Sequence, residues 1–420
     1  MAAFCPNPNH TRACAGAGPA ARRPAQAPDT MQVTLCLTHD CTLRCPYCYA
    51  GEKRRAAMPW EVAKAAIDRT VAWQLEHYPE KDYVLGFFGG EPLLEWDLLQ
   101  RADAYAEGAA RAAGLRFGRT VTTNLTLLDR GKADWLRARR YKLGLSIDGS
   151  PAMHDANRRF PDGRGSHAAC MAALPLVEDF PAPRPEIICV VTPDTAPLLA
   201  EGVRFLHARS ALPIAVNPDF TADWDDASRA ALRAAYETLA GDVLASWRAA
   251  AREPSNAAKG GLRTFEPSNG AAASPLHLTW FDGKLKALRI GGYRTCDKCD
   301  PVRRELAVAP SGNLYQCPNL VGDDDKEDLR LGSVQTGFDP AAVARVLARR
   351  GNRDPACRDC PAAPRCVNWC CCANWFSTGR TDRVGSFGCF HEKLSIELAD
   401  RVAETLLAER NEPFAAWFKA

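Results

Sequence analysis

The sequence predicts an α/β chain built on a parallel sheet, with a cysteine-rich segment toward its C-terminal side. Three observations predict it. Short apolar runs alternate with amphipathic segments through residue 252, the pattern of strand–helix units joined by right-handed crossovers. The polar motifs of that region each fall at the end of one of those runs. Eleven of the 18 cysteines fall into two ordered groups.

Strands are expected at Val33–Leu37, Tyr83–Phe88, Arg119–Thr123, Leu143–Ile147, Ile187–Thr192 and Pro213–Asn217. Helices are expected at about 60–77, 94–113, 130–139, 167–178, 197–209 and 226–252. Six such units describe a partial barrel or an open doubly wound sheet. Residues 253–275, rich in Gly, Ser, Pro, Asn and Ala, read as a linker or mobile loop. Beyond it, Asp282-Gly283 predicts a β-hairpin across Thr279–Leu285. A second hairpin is expected around Pro310–Asn313, with arms Glu305–Ala309 and Leu314–Cys317. Glu392–Arg410 carries the apolar stripe of a helix packed on the core.

At 420 residues the chain has room for two or three domains. With 46% hydrophobic and 25% charged residues and a net charge of +3, nothing points to nucleic acid or an anionic membrane. The basic run Arg130, Lys132, Arg137, Arg139 and Arg140 reads as a solvated helix face. No apolar stretch spans a bilayer, and the N-terminus lacks a secretory core, so a cytoplasmic protein is expected. Residues 1–30 read as a disordered tail, with Met31 as a candidate start. In a long chain without a signal peptide, many cysteines suggest metal-bound thiolates in a reducing compartment rather than disulfides.

The first cysteine group is Cys41, Cys45 and Cys48, a C-x3-C-x2-C run. Three thiolates leave one iron of an iron–sulfur cluster open, whereas structural zinc takes four closed ligands. The second group is Cys296, Cys299, Cys317, Cys357, Cys360, Cys366, Cys370 and Cys389, enough for two clusters of four thiolates. Cys36 and Cys189 sit in apolar strands as small core residues, and Cys371 and Cys372 read as packing or supporting neighbours of the second group. The motif Gly89-Gly90-Glu91-Pro92 follows the second strand. Asn124 follows the third, Ser146-Ile147-Asp148-Gly149 ends the fourth, Thr192 the fifth and Asn217 the sixth. Ligand chemistry in α/β folds collects at those carboxyl ends.

The cysteine run with its Tyr47, together with Gly89–Pro92, resembles the radical S-adenosylmethionine superfamily. The spacing from Cys299 through Gly312 and Cys317 to Cys357-x2-Cys360-x5-Cys366-x3-Cys370 and Cys389 resembles the SPASM extension. The resemblance implies a partial (β/α)6 TIM-type barrel at 31–252, followed by a small SPASM domain at 276–420 with β-hairpins and a C-terminal helix. It implies three four-iron–four-sulfur clusters and S-adenosylmethionine. Cys41, Cys45 and Cys48 would hold the catalytic cluster. Cys296, Cys299, Cys317 and Cys370 would hold one auxiliary cluster, and Cys357, Cys360, Cys366 and Cys389 the other. Glu91, with Gly89 and Gly90, would receive the methionyl ammonium, and Tyr47 would lie near the adenine. Ser146 and Arg158 would hold ribose and carboxylate, with Asn124 and Thr192 as further contacts. Asp148 is read equally as a cap of the turn at Gly149.

Within that resemblance the expected activity is peptide maturation. A hydrogen would be removed from a ribosomally made precursor, and a thioether or carbon–carbon cross-link installed. An anaerobic sulfatase-maturating, formylglycine-forming enzyme is the alternative. Its class places Asp immediately after the cysteine equivalent to Cys317, whereas this chain has Pro318, and Asp323, Asp324 and Asp325 read as a solvated loop. A non-catalytic iron–sulfur electron carrier would not need Glu91, Ser146 and Arg158. Expected partners are the precursor peptide and a flavodoxin or ferredoxin reductant; the residues before the first strand are too few for a leader-binding domain, so the leader is expected to be read by the barrel, the linker region or a separate leader-binding protein.

Overall fold

The computed structural model describes residues 30–252, 274–294, 297–349, 351 and 354–419. The expected N-terminal tail with Cys5 and Cys14, nearly all of the 253–275 linker, and Cys296 lie outside the described residues. The first half alternates as expected. It runs β1 (Thr30–Cys36), α1 (Trp60–His77), β2 (Asp82–Phe88), α2 (Trp96–Ala112), β3 (Phe117–Thr123), α3 (Arg130–Ala138) and β4 (Lys142–Ser146). It continues with α4 (Pro151–Asn157), α5 (His167–Ala173), β5 (Glu186–Val191), α6 (Leu199–His207), β6 (Ile214–Pro218) and α7 (Asp226–Arg252). β1 to β6 pair in sequence order, all parallel. All seven residues of β1 are buried, and the strand is paired on both edges, with β2 and with β7. α5 stops short of the expected 178, since Pro175 lacks the amide that would continue it and a 3-10 turn follows.

The second half runs α8 (Thr279–Ile290), β7 (Glu305–Val308), β8 (Asn313–Tyr315), β9 (Arg330–Ser333), β10 (Gly337–Phe338) and α9 (Pro340–Ala348). It ends with α10 (Pro355–Arg358), α11 (Cys371–Thr378), α12 (Ser386–Ala408) and α13 (Glu412–Lys419). The hairpin at Pro310–Asn313 is present as antiparallel β7 and β8. β7 pairs in parallel with β1, so one ten-stranded sheet runs β10-β9-β8-β7-β1-β2-β3-β4-β5-β6. With β6 and β10 at its two ends the sheet is not closed. α12 packs against α7 and α8.

The hairpin expected across Thr279–Leu285 is corrected: the segment is helix α8. Phe281 and Leu285, one turn apart, are both buried, and that burial overrides the Asp-Gly turn signal. Asp282 sits in the first turn, where a carboxylate suits the free amides. It also accepts from His277 Nδ1 at 2.9 Å. The helix ends at Gly291, whose φ of 77° places it in the left-handed region.

Candidate active site

A cavity of about 120 Å³ opens at the carboxyl ends of the strands. Cys41, Cys45 and Cys48 line it together with Tyr47, Gly89, Gly90, Glu91, Asn124, Ser146 and Arg158. Ten of the expected catalytic and cofactor-binding positions therefore share one space. Thr192 does not line it. Its backbone amide donates to Thr195 Oγ1 at 2.9 Å, a turn-capping bond at the end of β5. Asn217, at β6, does line the cavity.

The glycine pair is needed for packing of backbone on backbone. A Cβ on Gly90 would lie 1.9 Å from the Asp40 carbonyl oxygen, and one on Gly89 would lie 2.5 Å from that of Thr38. That close approach lets Gly90 N–H donate to Thr38 O at 2.8 Å and Glu91 N–H to Asp40 O at 2.9 Å. The glycines thus tie the segment that enters the cysteine loop to the end of β2.

Glu91 is buried, and burial raises its carboxyl pKa to about 7. Three donors oppose that rise: Thr123 Oγ1 and Asn124 N–H at 2.8 Å, and Leu93 N–H at 3.1 Å. A carboxylate offers about four acceptor positions, so roughly one is left toward the cavity. Asn124 reaches back with its Nδ2, to Thr42 Oγ1 at 3.0 Å and Cys41 Sγ at 3.5 Å.

The opposite wall is organised by Asp148, which is fully buried. Its Oδ2 lies 2.8 Å from Arg158 Nε and accepts the Tyr47 hydroxyl, while Oδ1 accepts Val190 N–H at 2.8 Å. The turn-cap reading of Asp148 therefore gives way to an orienting role for two cavity residues. Arg158 also lies over the Tyr47 ring, 5.4 Å from its centroid. Below them, Asp148 N–H donates to His154 Nδ1 at 3.1 Å, and His154 Nε2 meets Ser166 Oγ at 2.9 Å. Burial lowers the His154 pKa to about 3, so its ring is neutral.

None of the described cysteines is in a disulfide. Burial raises the thiol pKa of Cys41 to about 11 and of Cys45 to about 12. Thiolates there need cationic partners, which iron would provide. Among the described residues no three His, Cys, Asp or Glu side chains converge to hold a single ion. Three free thiols around one cavity fit a polynuclear iron–sulfur cluster.

In the second group, Cys299, Cys317 and Cys370 are buried together with Cys371 and Cys372. Cys370 and Cys372 Sγ are 3.5 Å apart, and Asn319 Nδ2 donates to Cys372 Sγ at 3.6 Å. Burial opposes a Cys372 thiolate, yet donation from Cys317, Cys370, Cys371 and Asn319 holds its pKa well below the usual thiol value. Cys372 thus sits against Cys370 as a supporting neighbour of the thiol group. Cys357, Cys360, Cys366 and Cys389 are half-buried. Beside Cys366 lies the buried pair Lys284–Glu392, at 2.5 Å.

Pro318 and Asn319 also line the cavity, so the cysteine-rich half completes its wall. Among the described residues that line it, Glu91 is the sole carboxylate. Asp323 and Asp324 are engaged rather than loose: Asp323 accepts Glu52 N–H at 2.6 Å, and Asp324 accepts the Tyr315 hydroxyl at 2.8 Å. Asp325 is exposed. Sequence reasoning missed Asn319 and Lys53, whose Nζ donates to Cys48 Sγ at 3.1 Å. The Asn319 contact with Cys372 spans 53 residues, whereas Lys53 lies five residues after Cys48 in a loop that carries no recognisable motif.

Residues 35–164 match the Radical SAM superfamily. A Methanocaldococcus jannaschii protein described as uncharacterized is 29% identical over 174 residues, 41% of this chain and 57% of that protein. A cysteine-type anaerobic sulfatase-maturating enzyme of Clostridium novyi is 21% identical over 87% of this chain and 95% of its own length. The same-named enzyme of Clostridium perfringens is 28% identical over 70% of this chain and 75% of its own. Among solved structures, native anSMEcpe with bound AdoMet superposes with a TM-score of 0.68 at 18% identity, covering 89% of this chain and 98% of that one. Streptococcus suis SuiB bound to precursor peptide SuiA gives 0.50 at 15% identity, covering 86% and 76%. Residues 35–164 thus match the Radical SAM superfamily, and the chain shares the fold of anSMEcpe.

Proposed function

We propose that the protein is a radical S-adenosylmethionine peptide maturase that installs an intramolecular cross-link in a ribosomally made precursor peptide. The observation that carries the reading is the composition of the cavity. Three thiols able to hold an open cluster face a wall ending in Pro318 and Asn319, and Glu91, the one carboxylate among the described lining residues, is held by three donors.

When bound, the cluster and S-adenosylmethionine supply a 5′-deoxyadenosyl radical that takes a hydrogen atom from an unactivated carbon. The protein's own groups do the holding. Glu91 offers its remaining acceptor position to an ammonium. Arg158, oriented by Asp148, presents a guanidinium to a carboxylate. The Ser146 hydroxyl and Tyr47 ring complete the wall, and the enclosed space limits solvent access. Forming a cross-link removes one hydrogen atom plus one proton and one electron. Cys299, Cys317, Cys370 and their neighbours fit a cluster that would accept the electron, with Cys357, Cys360, Cys366 and Cys389 as ligands for another. A flavodoxin or ferredoxin is the expected reductant.

Sulfatase-type maturation is the second reading, favoured by the near full-length relatives of that name. Oxidising a Ser or Cys side chain to an aldehyde requires a base for the departing proton, and Pro318 cannot be one. Peptide mass after anaerobic turnover separates the two. A loss of two hydrogens that is inert to borohydride and hydrazine supports cross-linking. A hydrazine-reactive product establishes the aldehyde and overturns the first reading.

A further inference from the structure

We propose that Lys53 is a positioning residue that sets the reduction potential of the cluster held by Cys41, Cys45 and Cys48, and that the cysteine-rich half locks it in place through Asp323. This deepens the reading above and rests on its open cluster. Lys53 Nζ donates to Cys48 Sγ at 3.1 Å and to Gly51 O at 2.9 Å. A hydrogen bond and a positive charge on a ligand sulfur stabilise the added electron and raise a cluster's potential. Cys41 Sγ has different, neutral donors: Leu43 N–H at 3.4 Å and Asn124 Nδ2 at 3.5 Å. Lys53 is therefore the cation assigned to the third ligand.

The loop that carries Lys53 is clamped on both sides of it. Asp323 Oδ1 accepts Glu52 N–H at 2.6 Å, and Asp323 O accepts Arg54 Nη2 at 2.8 Å. Arg54 Nη1 lies 3.4 Å from Asp323 Oδ1. Gly51 has a φ of +75°, and a Cβ there would lie 2.3 Å from Asp323 Oδ1. The approach of Asp323 therefore needs glycine at 51. It fixes the two residues flanking Lys53, and with them the backbone from which the ammonium reaches Cys48.

The test is potentiometric electron paramagnetic resonance on the full chain, reconstituted anaerobically, following the signal that S-adenosylmethionine perturbs. Lys53→Met should keep its iron and move that midpoint to a more negative value, with the other cluster signals unmoved. Lys53→Arg should restore it, and Asp323→Ala should shift it in the same direction by less. An unchanged midpoint in Lys53→Met at full iron content overturns the proposal. So does loss of iron from that site alone, which would make Lys53 merely structural. A wild-type protein with no signal responsive to S-adenosylmethionine would instead refute the cluster reading itself.

Discussion

Replacing Gly90 with alanine should detach the cysteine loop from β2. The new Cβ would lie 1.9 Å from the Asp40 carbonyl oxygen and 2.6 Å from its carbon. Ordinary contact begins near 3.4 Å, so the carbonyl must retreat by about 1.5 Å, a gap set by van der Waals repulsion. Asp40 adjoins Cys41, and its carbonyl is the acceptor for Glu91 N–H. The retreat therefore breaks that bond and strains Gly90 N–H to Thr38 O. Two backbone hydrogen bonds are worth about 0.5–1.5 kcal/mol each, and overpacking adds about 1–3 kcal/mol. The expected loss is about 2–6 kcal/mol, concentrated at Cys41. Gly108→Ala is the control, because nothing lies within 4 Å of a Cβ there. Inside α2 it should stabilise by about 0.5–1 kcal/mol. Thermal melts of the apo-protein and iron per chain after reconstitution are the assays. Gly90→Ala melting with wild type and binding the same iron would refute the argument.

Asp148→Ala leaves Arg158 charged and buried without its partner, and should cost about 3–5 kcal/mol. In a double-mutant cycle with Arg158→Ala by urea denaturation, a coupling indistinguishable from zero would show that the pair does not act as a unit. Glu91→Gln places an amide against three donors; with a charged hydrogen bond worth about 1.5–3 kcal/mol, S-adenosylmethionine should bind roughly ten- to a hundredfold more weakly by equilibrium dialysis. His391 is buried and its pKa is lowered to about 4. The unfolded chain takes up its proton first as pH falls, so stability is full above about 6.5 and declines toward 4, by about 3 kcal/mol in all. Melting temperatures across that range should fall less steeply for His391→Gln, and parallel curves would contradict the assignment. Pro318→Asp should introduce a base into the cavity wall; an aldehyde product from a peptide bearing Ser or Cys, detected by hydrazine capture, is the expected outcome, and its absence with active enzyme would show that position 318 does not select the reaction.

The six strands of the first half were legible because a buried parallel strand must be a short apolar run, as Ile187 to Val191 shows. The placement of Cys41, Glu91, Asn124 and Ser146 around one space was legible for a topological reason, since each ends a strand. Helix α4 was missed because seven residues make under two turns and carry little periodicity, although Ser150 before Pro151 is a start signal. The Asp282-Gly283 error came from trusting a local turn over the burial of Phe281 and Leu285. The orienting role of Asp148, the contact of Asn319 with Cys372 and the approach of Lys53 to Cys48 depend on tertiary geometry. No spacing rule encodes them.

The parallel pairing of β7 with β1 has a consequence for the order of events during synthesis. Gln32 to Leu35 meet Glu305 to Val308, so one border of the first strand stays bare until more than two-thirds of the chain has left the ribosome. β2 to β6 can assemble on the other border in the meantime. An uncovered strand border is an invitation to mispairing with other chains. The nascent protein thus carries an aggregation hazard in the strand that leads into the cysteine loop. Sealing that strand is expected to be a late step of folding.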